Sequence, residues 1–370
     1  MKFSCEKLLL QNAVNTASRA VAAKSSIPAL EGLLLTCGGE SLTVSGYNMQ
    51  TGIRTEVEAD IRESGRIVLN AKLFGDMIRR MPDDTVVFDA DEKFNVKLTC
   101  GDTDFEMIGL SANDYPEMPE VDDEYSVTLE QRTLKAMIDQ TSFAVSLNET
   151  RPIHTGVLFE ISDKGLTMVA VDGFRLALRR EPLEHIDGGA FRFVAPGSAL
   201  NEVEKICADT EDMVTVTQGK RHLMFEAGST QLICRRLEGE FLDYRNAIPT
   251  NNPICLEVDN KTMIESLERV SVVISEKLKS PVRCVFSDDR VYMSARTGNG
   301  EAKDICPVRG DGQSLEIGFN NRYLMDALRY APADTVTMQL NTGISPCIIV
   351  PTDGSDNFLY MVLPVRLKAQ

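Results

Sequence analysis

Three stretches of this chain repeat one hydrophobic rhythm. LLLQNAVNTASRAV (residues 8 to 21), TLKAMIDQTSFAV (133 to 145) and TMIESLERVSVVI (262 to 274) align without gaps on Ser18, Ser142 and Ser271. Apolar residues fall at helical spacing in each. In the first, Leu10, Ala13, Val14, Ala17 and Val21 form one stripe with Gln11, Asn15 and Arg19 opposite, which predicts a surface helix with one packed face. The period then drops to two in GLLLTCGGESLTVSG, GVLFEISDKGLTMVAVDG and RCVFSDDRVYMSARTG, so a strand pair joined by a short polar turn follows each helix. Leu42, Leu166 and Val291 are equivalent within these pairs. A second helix recurs in NAKLFGDMIRRMPDDTVVF, APGSALNEVEKICADTEDMVTV and NNRYLMDALRYAPADTVTMQL. Two of these close alike, as MPDDTVVF from Met81 and APADTVTM from Ala331, where proline ends the helix and a strand restarts.

The fold class that follows is α+β, with three repeated domains, each of two helices packed on antiparallel sheet. The pattern lapses at PEMPEVDDEY from Pro116 and at PTNNP from Pro249, which divides the chain into 1–123, 124–250 and 251–370. With 370 residues, 43% of them hydrophobic, each unit has enough apolar material for its own core. The opening MKFSCEKLLLQNAV has an apolar run too short to cross a bilayer and no small-residue cleavage site, so a cytoplasmic protein is expected. The nine cysteines are scattered without a CxxC pair, which fits buried thiols in a reducing compartment.

Enzyme chemistry finds little support. The histidines, His154, His185 and His222, stand at no metal or triad spacing, and GxGxxG, GxxxxGK[ST] and HExxH are absent. The acidic groups Asp83/Asp84 and Asp209 to Asp212 fall at helix ends, where solvated turns account for them. No catalytic residue, metal or cofactor is expected. Two alternatives stay open at this point: a three-domain enzyme of nucleotide or phosphoester metabolism with its site between domains, and a structural repeat scaffold. The net charge of −16 argues against wholesale attraction to a polyanion, unless cations are concentrated on one surface.

Four separated segments carry a resemblance. VAVDGFRLAL (169 to 178), EGEFLDYRNAIP (238 to 249), GFNNRYLMDAL (318 to 328) and LYMVLPVRL (359 to 367) together resemble the bacterial sliding clamp family, the β subunit of DNA polymerase III, and the likeness extends over the whole chain. It implies three domains of the DNA-clamp fold per chain and a head-to-tail homodimer forming a ring, with helices lining the hole around duplex DNA. The implied role is that of a polymerase processivity factor. The implied partners are the DNA polymerase III catalytic subunit, the clamp loader, and other polymerases and repair proteins carrying clamp-binding peptides. A closed ring is retained by topology, so a few cations suffice to centre the duplex and the acidic excess can lie outside.

The resemblance also implies sites. A peptide-binding groove should include His154, Val171, Gly173, Phe174, Arg175, Leu176, Leu242, Ala247, Leu278, Asn320, Tyr323, Ile344, Pro346, Met361, Val362, Leu363, Pro364, Val365 and Arg366. Leu176, Leu242, Val362 and Leu363 would be its aliphatic walls, with Arg175 and the backbone near Gly173 and Leu363 fixing a polar peptide group. Phe174 stands where the family commonly has His, Leu242 where it has Pro, Asn246 for Arg and Pro346 for Ser. The tail Lys368 to Gln370 extends past the usual end. Cations expected to face DNA are Lys24, Lys72, Arg79, Arg80, Arg151 and Lys205, with Arg19, Arg132, Lys135, Lys261 and Arg269 as further candidates; Pro152 and Ile153 replace tyrosines of some members. At the dimer interface Phe105 and Met107 should meet Val272 and Val273 of the other chain, with Asp102, Asp104 and Glu106 opposite Arg296 and Lys303. The resemblance thus implies a polarity at least partly reversed relative to the family's usual one, which would disfavour mixed rings.

Overall fold

A computed structural model of the full chain describes residues 1–122, 125–183, 186–187, 189–275, 280–287, 289–310 and 314–367. The rhythm of the sequence becomes three successive runs of nine strands and two helices. The first comprises β1 (Lys2–Glu6), α1 (Lys7–Ser18), β2 (Gly32–Gly38), β3 (Ser41–Tyr47), β4 (Thr51–Glu58), β5 (Asp60–Glu63), β6 (Gly65–Asn70), α2 (Ala71–Arg80), β7 (Thr85–Ala90), β8 (Asn95–Cys100) and β9 (Thr103–Ile108). The second comprises β10 (Tyr125–Glu130), α3 (Gln131–Ser142), β11 (Gly156–Ser162), β12 (Gly165–Val171), β13 (Arg175–Glu181), β14 (Ile186–Asp187), β15 (Phe191–Pro196), α4 (Gly197–Ile206), β16 (Met213–Gln218), β17 (His222–Ala227) and β18 (Thr230–Arg235). A four-residue helix, α5 (Tyr244–Ala247), leads to the third: β19 (Ile254–Asp259), α6 (Asn260–Ser271), β20 (Val282–Phe286), β21 (Arg290–Thr297), β22 (Gly300–Pro307), β23 (Arg309–Gly310), β24 (Leu315–Phe319), α7 (Asn321–Arg329), β25 (Thr335–Leu340), β26 (Cys347–Pro351) and β27 (Phe358–Val362). Strands nine apart in number are therefore equivalent.

Local hydrogen bonds repeat with the same period. The first amide of each leading helix has no intrahelical partner, and it is satisfied by the aspartate carbonyl just before a later strand: Lys7 N to Asp84 O (3.1 Å), Gln131 N to Asp212 O (2.8 Å) and Asn260 N to Asp334 O (2.8 Å). Each leading helix ends on the serine that anchors the sequence alignment. The apolar stripe runs three residues further, but there the chain curls back, with Val21 N, Val145 N and Ile274 N donating to Ser18 O, Ser142 O and Ser271 O. The helices expected to reach those residues are thus shorter, since the last apolar positions close a turn. Side-chain caps at Asn70, Asp259 and Asn320 accept the first free amides of α2, α6 and α7.

The chain divides into two compact units that cut across the second repeat. One contains residues 1–135, 185–189 and 198–236. In it a five-stranded sheet, β5-β1-β7-β8-β9, accompanies a nine-stranded sheet, β14-β10-β16-β17-β18-β4-β3-β2-β6. Its first-repeat core gathers the inward residues of both sheets with the stripes of α1 and α2, including Leu10, Val14, Phe74 and Ile78, and a stacked pair Phe3–Phe88 at 4.6 Å. The other unit contains residues 136–184, 190–197 and 237–370, with a nine-stranded sheet, β15-β11-β12-β13-β27-β26-β25-β19-β23, and a four-stranded sheet, β22-β21-β20-β24. The units differ from the three sequence repeats because sheets continue from one repeat into the next, by β18 on β4 and by β27 on β13.

Candidate functional site

One cleft of ≈ 510 Å³, inside the second unit, gathers much of the expected groove, and its volume suits a small ligand or a few peptide side chains. It is lined by His154, Val171, Gly173, Phe174, Arg175, Leu176, Leu242, Ala247, Met361 and Leu363 from the expected set, together with Ser146, Asn148, Thr150, Arg151 and Asp172. The β12–β13 turn supplies the centre. Asp172 Oδ1 accepts from the amides of Phe174 (2.9 Å) and Arg175 (3.0 Å), a tight turn that puts Gly173 at φ +89°, where a side chain would be strained. Phe174 is thereby held out of the core, 59% exposed, with its ring 6.0 Å from that of Tyr323.

Arg175 differs from its expected role. Its Nε donates to Asp172 Oδ2 (2.9 Å) and its Nη1 to Asp326 Oδ2 (2.6 Å), while the guanidinium lies 4.6 Å from the ring centre of Tyr323 and 5.5 Å from that of Phe143. Both carboxylates are largely shielded from solvent, so this cation braces the turn against α7 and is charge-balanced before any ligand arrives. The Leu363 amide likewise already donates to Phe174 O (2.9 Å). Burial, and then the charge of Arg151, hold the His154 imidazole below its ordinary pKa; burial raises that of the Tyr323 hydroxyl.

Other expected groove residues lie elsewhere. Asn320, Tyr323 and Val365 line a neighbouring cleft with Arg322 and Pro281. Ile344, Pro346, Pro364 and Arg366 line neither cleft, and Ile344 is exposed on the turn after β25. Val362 is 0% exposed: Met361 takes the cleft side of β27, and strand alternation turns the next residue into the core. Leu278 and His185, like the tail Lys368 to Gln370, lie outside the described residues. The lining residues that the sequence missed, Ser146, Asn148, Thr150 and Asp172, are polar turn formers. Ser146 Oγ accepts from Asn148 N (3.1 Å) and Asn148 Oδ1 from Thr150 N (3.0 Å), and the Ser-x-Asn-x-Thr spacing was their available signal.

The basic candidates are exposed except Lys135, which is half-buried, and several are already paired. Arg79 (3.0 Å) and Arg80 (3.8 Å) share Asp76, while Lys205 (2.7 Å) and Arg19 (3.6 Å) share Glu202. Arg132 meets Glu130 and Glu211, and Arg269 meets Asp304 and Glu265. Lys24, Lys72 and Arg151 make no ion pair among the described residues, and Arg151 lies on the cleft wall beside His154. The six helices α1, α2, α3, α4, α6 and α7 hold eleven Lys and Arg against seven Asp and Glu, a net of +4 that leaves −20 for the rest of a −16 chain. Charge is therefore segregated by element.

The expected interface residues lie on or beside two sheet-edge strands, β9 and β22. On β9, Asp104, Glu106 and Ile108 point outward while Phe105 is half-buried; Met107, expected to meet a second chain, is only 6% exposed and belongs to the first-repeat core, because strand parity turns it inward. Asp102 is exposed in the turn before β9, and Arg296 on β21. Val272, just past α6, is fully open to solvent, with Val273 partly covered. Lys303 on β22 contacts Glu301 at 3.0 Å. Among the described residues no cluster of His, Cys, Asp and Glu could hold a metal, and Asp83 is engaged by Lys7 at 2.7 Å.

Comparison with known proteins bears on the whole chain. Residues 1–119, 128–243 and 245–366 match, respectively, the N-terminal, central and C-terminal domains of the DNA polymerase III beta subunit. A beta sliding clamp of Halalkalibacterium halodurans is 30% identical over 379 residues, covering 99% of this chain and 100% of the relative, and one of Staphylococcus aureus is 29% identical over 376 residues, covering 99% of each. Among solved structures, the DNA polymerase sliding clamp from Bacillus subtilis superposes with a TM-score of 0.95 at 26% identity, covering 100% of both chains. A putative DNA polymerase III beta subunit from Eubacterium rectale gives 0.94 at 28% identity, covering 99% of this chain and 100% of its own. Repeats, strand order and these likenesses agree: the chain belongs to the family of the DNA polymerase III beta subunit, the bacterial sliding clamps.

Proposed function

We propose that two copies of this chain close head to tail into a ring on duplex DNA, and that the ring acts as the processivity factor of DNA polymerase III in the cytoplasm. Three clamp domains, 1–123, 124–250 and 251–370, would form each half. The observation that carries the reading is the pair of sheet junctions between repeats. In the first, Thr230, Gln231 and Leu232 of β18 face Thr55, Arg54 and Ile53 of β4, with Arg54 Nε donating to Gln231 Oε1 at 2.5 Å. In the second, Phe358, Leu359 and Tyr360 of β27 face Arg179, Leu178 and Ala177 of β13 at the same register. The third pair of equivalent strands, β9 and β22, is not joined in this way among the described residues.

Carrying the register over sets Thr103, Asp104, Phe105, Glu106 and Met107 of one copy against Asp304, Lys303, Ala302, Glu301 and Gly300 of the other. Phe105 would then lie over Ala302 as Tyr360 lies over Ala177, and Asp104 would meet Lys303 where Gln231 meets Arg54. Glu106 opposite Glu301 is a like-charge contact, with Arg296 beside Glu301 on β21 to offset it. Two heterologous junctions of one kind close a ring. Lys24, Lys72, Arg79, Arg80, Lys205 and Arg151 would steady the duplex by non-specific phosphate contacts. The cleft would tether the polymerase, the clamp loader and repair proteins through short peptides with glutamine followed by Leu or Phe, raising their local concentration at the template.

The test is retention on DNA. After loading, the protein should stay on a nicked circle and run off once the circle is cut; equal loss from both forms would refute the ring. The junction has its own test by sedimentation: Lys303→Asp should weaken the dimer by about tenfold, and pairing it with Asp104→Lys should restore it.

A further inference from the structure

The segment EGEFLDYRNAIP contributes Leu242 and Ala247 to the cleft, but Tyr244 and Arg245 between them face away from it. Helix α5 is too short to hold its own conformation, and Asp243 gives it no side-chain cap. What fixes it is a network rooted in β11. Tyr244 is buried in the core beneath the cleft, against Leu158 and Val194, and its hydroxyl donates to Glu160 Oε2 at 2.5 Å. Arg245 Nη2 donates to the same oxygen at 2.6 Å and Nη1 to Oε1 at 3.4 Å, with the guanidinium 4.7 Å from the Tyr244 ring centre. The Glu160 side chain is mostly shielded, though Arg245 is open to solvent, so the hydroxyl bond is the more protected of the two. Burial and then Glu160 push the Tyr244 hydroxyl pKa far up, which keeps it a donor.

The first repeat supplies an internal contrast. Tyr115 there occupies the place of Tyr244, against Leu34 and Val68, the equivalents of Leu158 and Val194. Its hydroxyl reaches only a backbone carbonyl, Ser45 O at 3.4 Å, and Thr36 and Pro116 stand where the second repeat has Glu160 and Arg245. Three residues on, Met118 packs onto Tyr47 and Gly52 and occupies the space that is a cleft in the second repeat. The carboxylate network accompanies the open cleft.

We propose that Glu160 is a positioning residue for the groove: by holding Tyr244 and Arg245 it fixes α5, and with it sets Leu242 and Ala247 at the cleft wall. This rests on reading the cleft as a peptide groove, and the test separates the two. In the full chain, amide exchange across residues 241–248 and binding of a labelled glutamine-leucine-phenylalanine peptide are measured for wild type, Glu160→Ala, Glu160→Gln and Tyr244→Phe. Glu160→Ala should speed exchange in that segment alone and weaken the peptide about tenfold, equivalent to about 1.4 kcal/mol. Tyr244→Phe should do the same in milder form. Glu160→Gln keeps an acceptor for the Tyr244 hydroxyl and should recover most of the loss, which a general fold defect would not. Wild-type exchange across 241–248 in Glu160→Ala overturns the proposal, as does wild-type affinity in that variant. A wild-type protein that binds no peptide overturns the groove reading instead, and the exchange measurement then still decides the role of Glu160.

Discussion

One side chain-to-backbone turn bond recurs in all three repeats, and only the turn of the second repeat lines the cleft. Asn48, Asp172 and Thr297 are equivalent, and each side chain accepts the amide two residues ahead: Gln50 N (3.0 Å), Phe174 N (2.9 Å) and Asn299 N (3.1 Å). The next position is left-handed in the first two repeats, Met49 at φ +71° and Gly173 at φ +89°, but not in the third, where it is Gly298. After it come Gln50 and Thr51, Phe174 and Arg175, Asn299 and Gly300. Only the second repeat puts an aromatic and an arginine there, and only there does an aspartate from a later helix, Asp326, receive the arginine. The first two repeats thus share the backbone frame, and the site comes from a few side chains added to it, together with a small residue, Ala247, where the first repeat has Met118. A repeated fold leaves each copy free to specialise.

The largest effect should come from erasing that last difference. Ala247→Met places in the second repeat the side chain that fills the first, and peptide affinity should fall more than about thirtyfold, about 2 kcal/mol, because the anchor loses its pocket. Thermal stability should be unchanged, since Ala247 is exposed. Anisotropy titration of a labelled peptide, beside a melting curve, decides it; undiminished binding would mean that the cleft is not where the peptide sits.

A smaller effect should separate the two left-handed turn residues. Gly173→Ala forces a side chain into φ +89° and should cost about 1–2 kcal/mol in unfolding free energy, whereas Met49→Gly relieves the same conformation in the first repeat and should be neutral or mildly stabilising. Denaturant titration of both variants reads the difference directly. A Gly173→Ala variant as stable as wild type, or a Met49→Gly variant clearly destabilised, would show that neighbours, not backbone conformation, govern the turn.

These contrasts also explain what could be read from the sequence. The threefold repeat was legible because burial periodicity is local, and the equivalence of Leu42, Leu166 and Val291 reappears in the strand register, opposite Val57, Glu181 and Cys306. The helix ends were overrun because Val21, Val145 and Ile274 stay apolar after the helix has stopped. Nine of the fifteen cleft-lining residues were expected from the segments that carry the resemblance, such as VAVDGFRLAL and LYMVLPVRL. Met107 and Val362, expected at a contact surface, are buried within the chain: each lies on the covered face of its strand, which the alternation of a single strand does not identify. The bracing of Arg175 by Asp326 could not be seen either: those residues are 151 positions apart, and only the packing of α7 brings them together.

The smallest effect concerns pH. In the first repeat the turn Pro28–Glu31 carries Leu30, fully buried; in the second, Pro152–Thr155 carries His154 at the same position, its ring edge-on to Phe241 at 5.7 Å and the residue lining the cleft. A histidine in a leucine's place is held neutral, and burial followed by the charge of Arg151 lowers its pKa below the ordinary 6.5. The sign follows from proton counting. Below pH 6.5 the unfolded chain takes up a proton that the native imidazole still refuses, so the contribution of His154 to stability is full above that pH and is lost as pH falls through the native pKa. Peptide affinity should accordingly change by less than about twofold between pH 8 and 7 and decline only under acid conditions, where the imidazolium would place a charge beside Arg151. His154→Leu, which copies the first repeat, should remove that decline while keeping the affinity at neutral pH. A His154 resonance titrating above 6.5 by NMR would reverse the assignment and make the imidazole a cationic contact of the cleft.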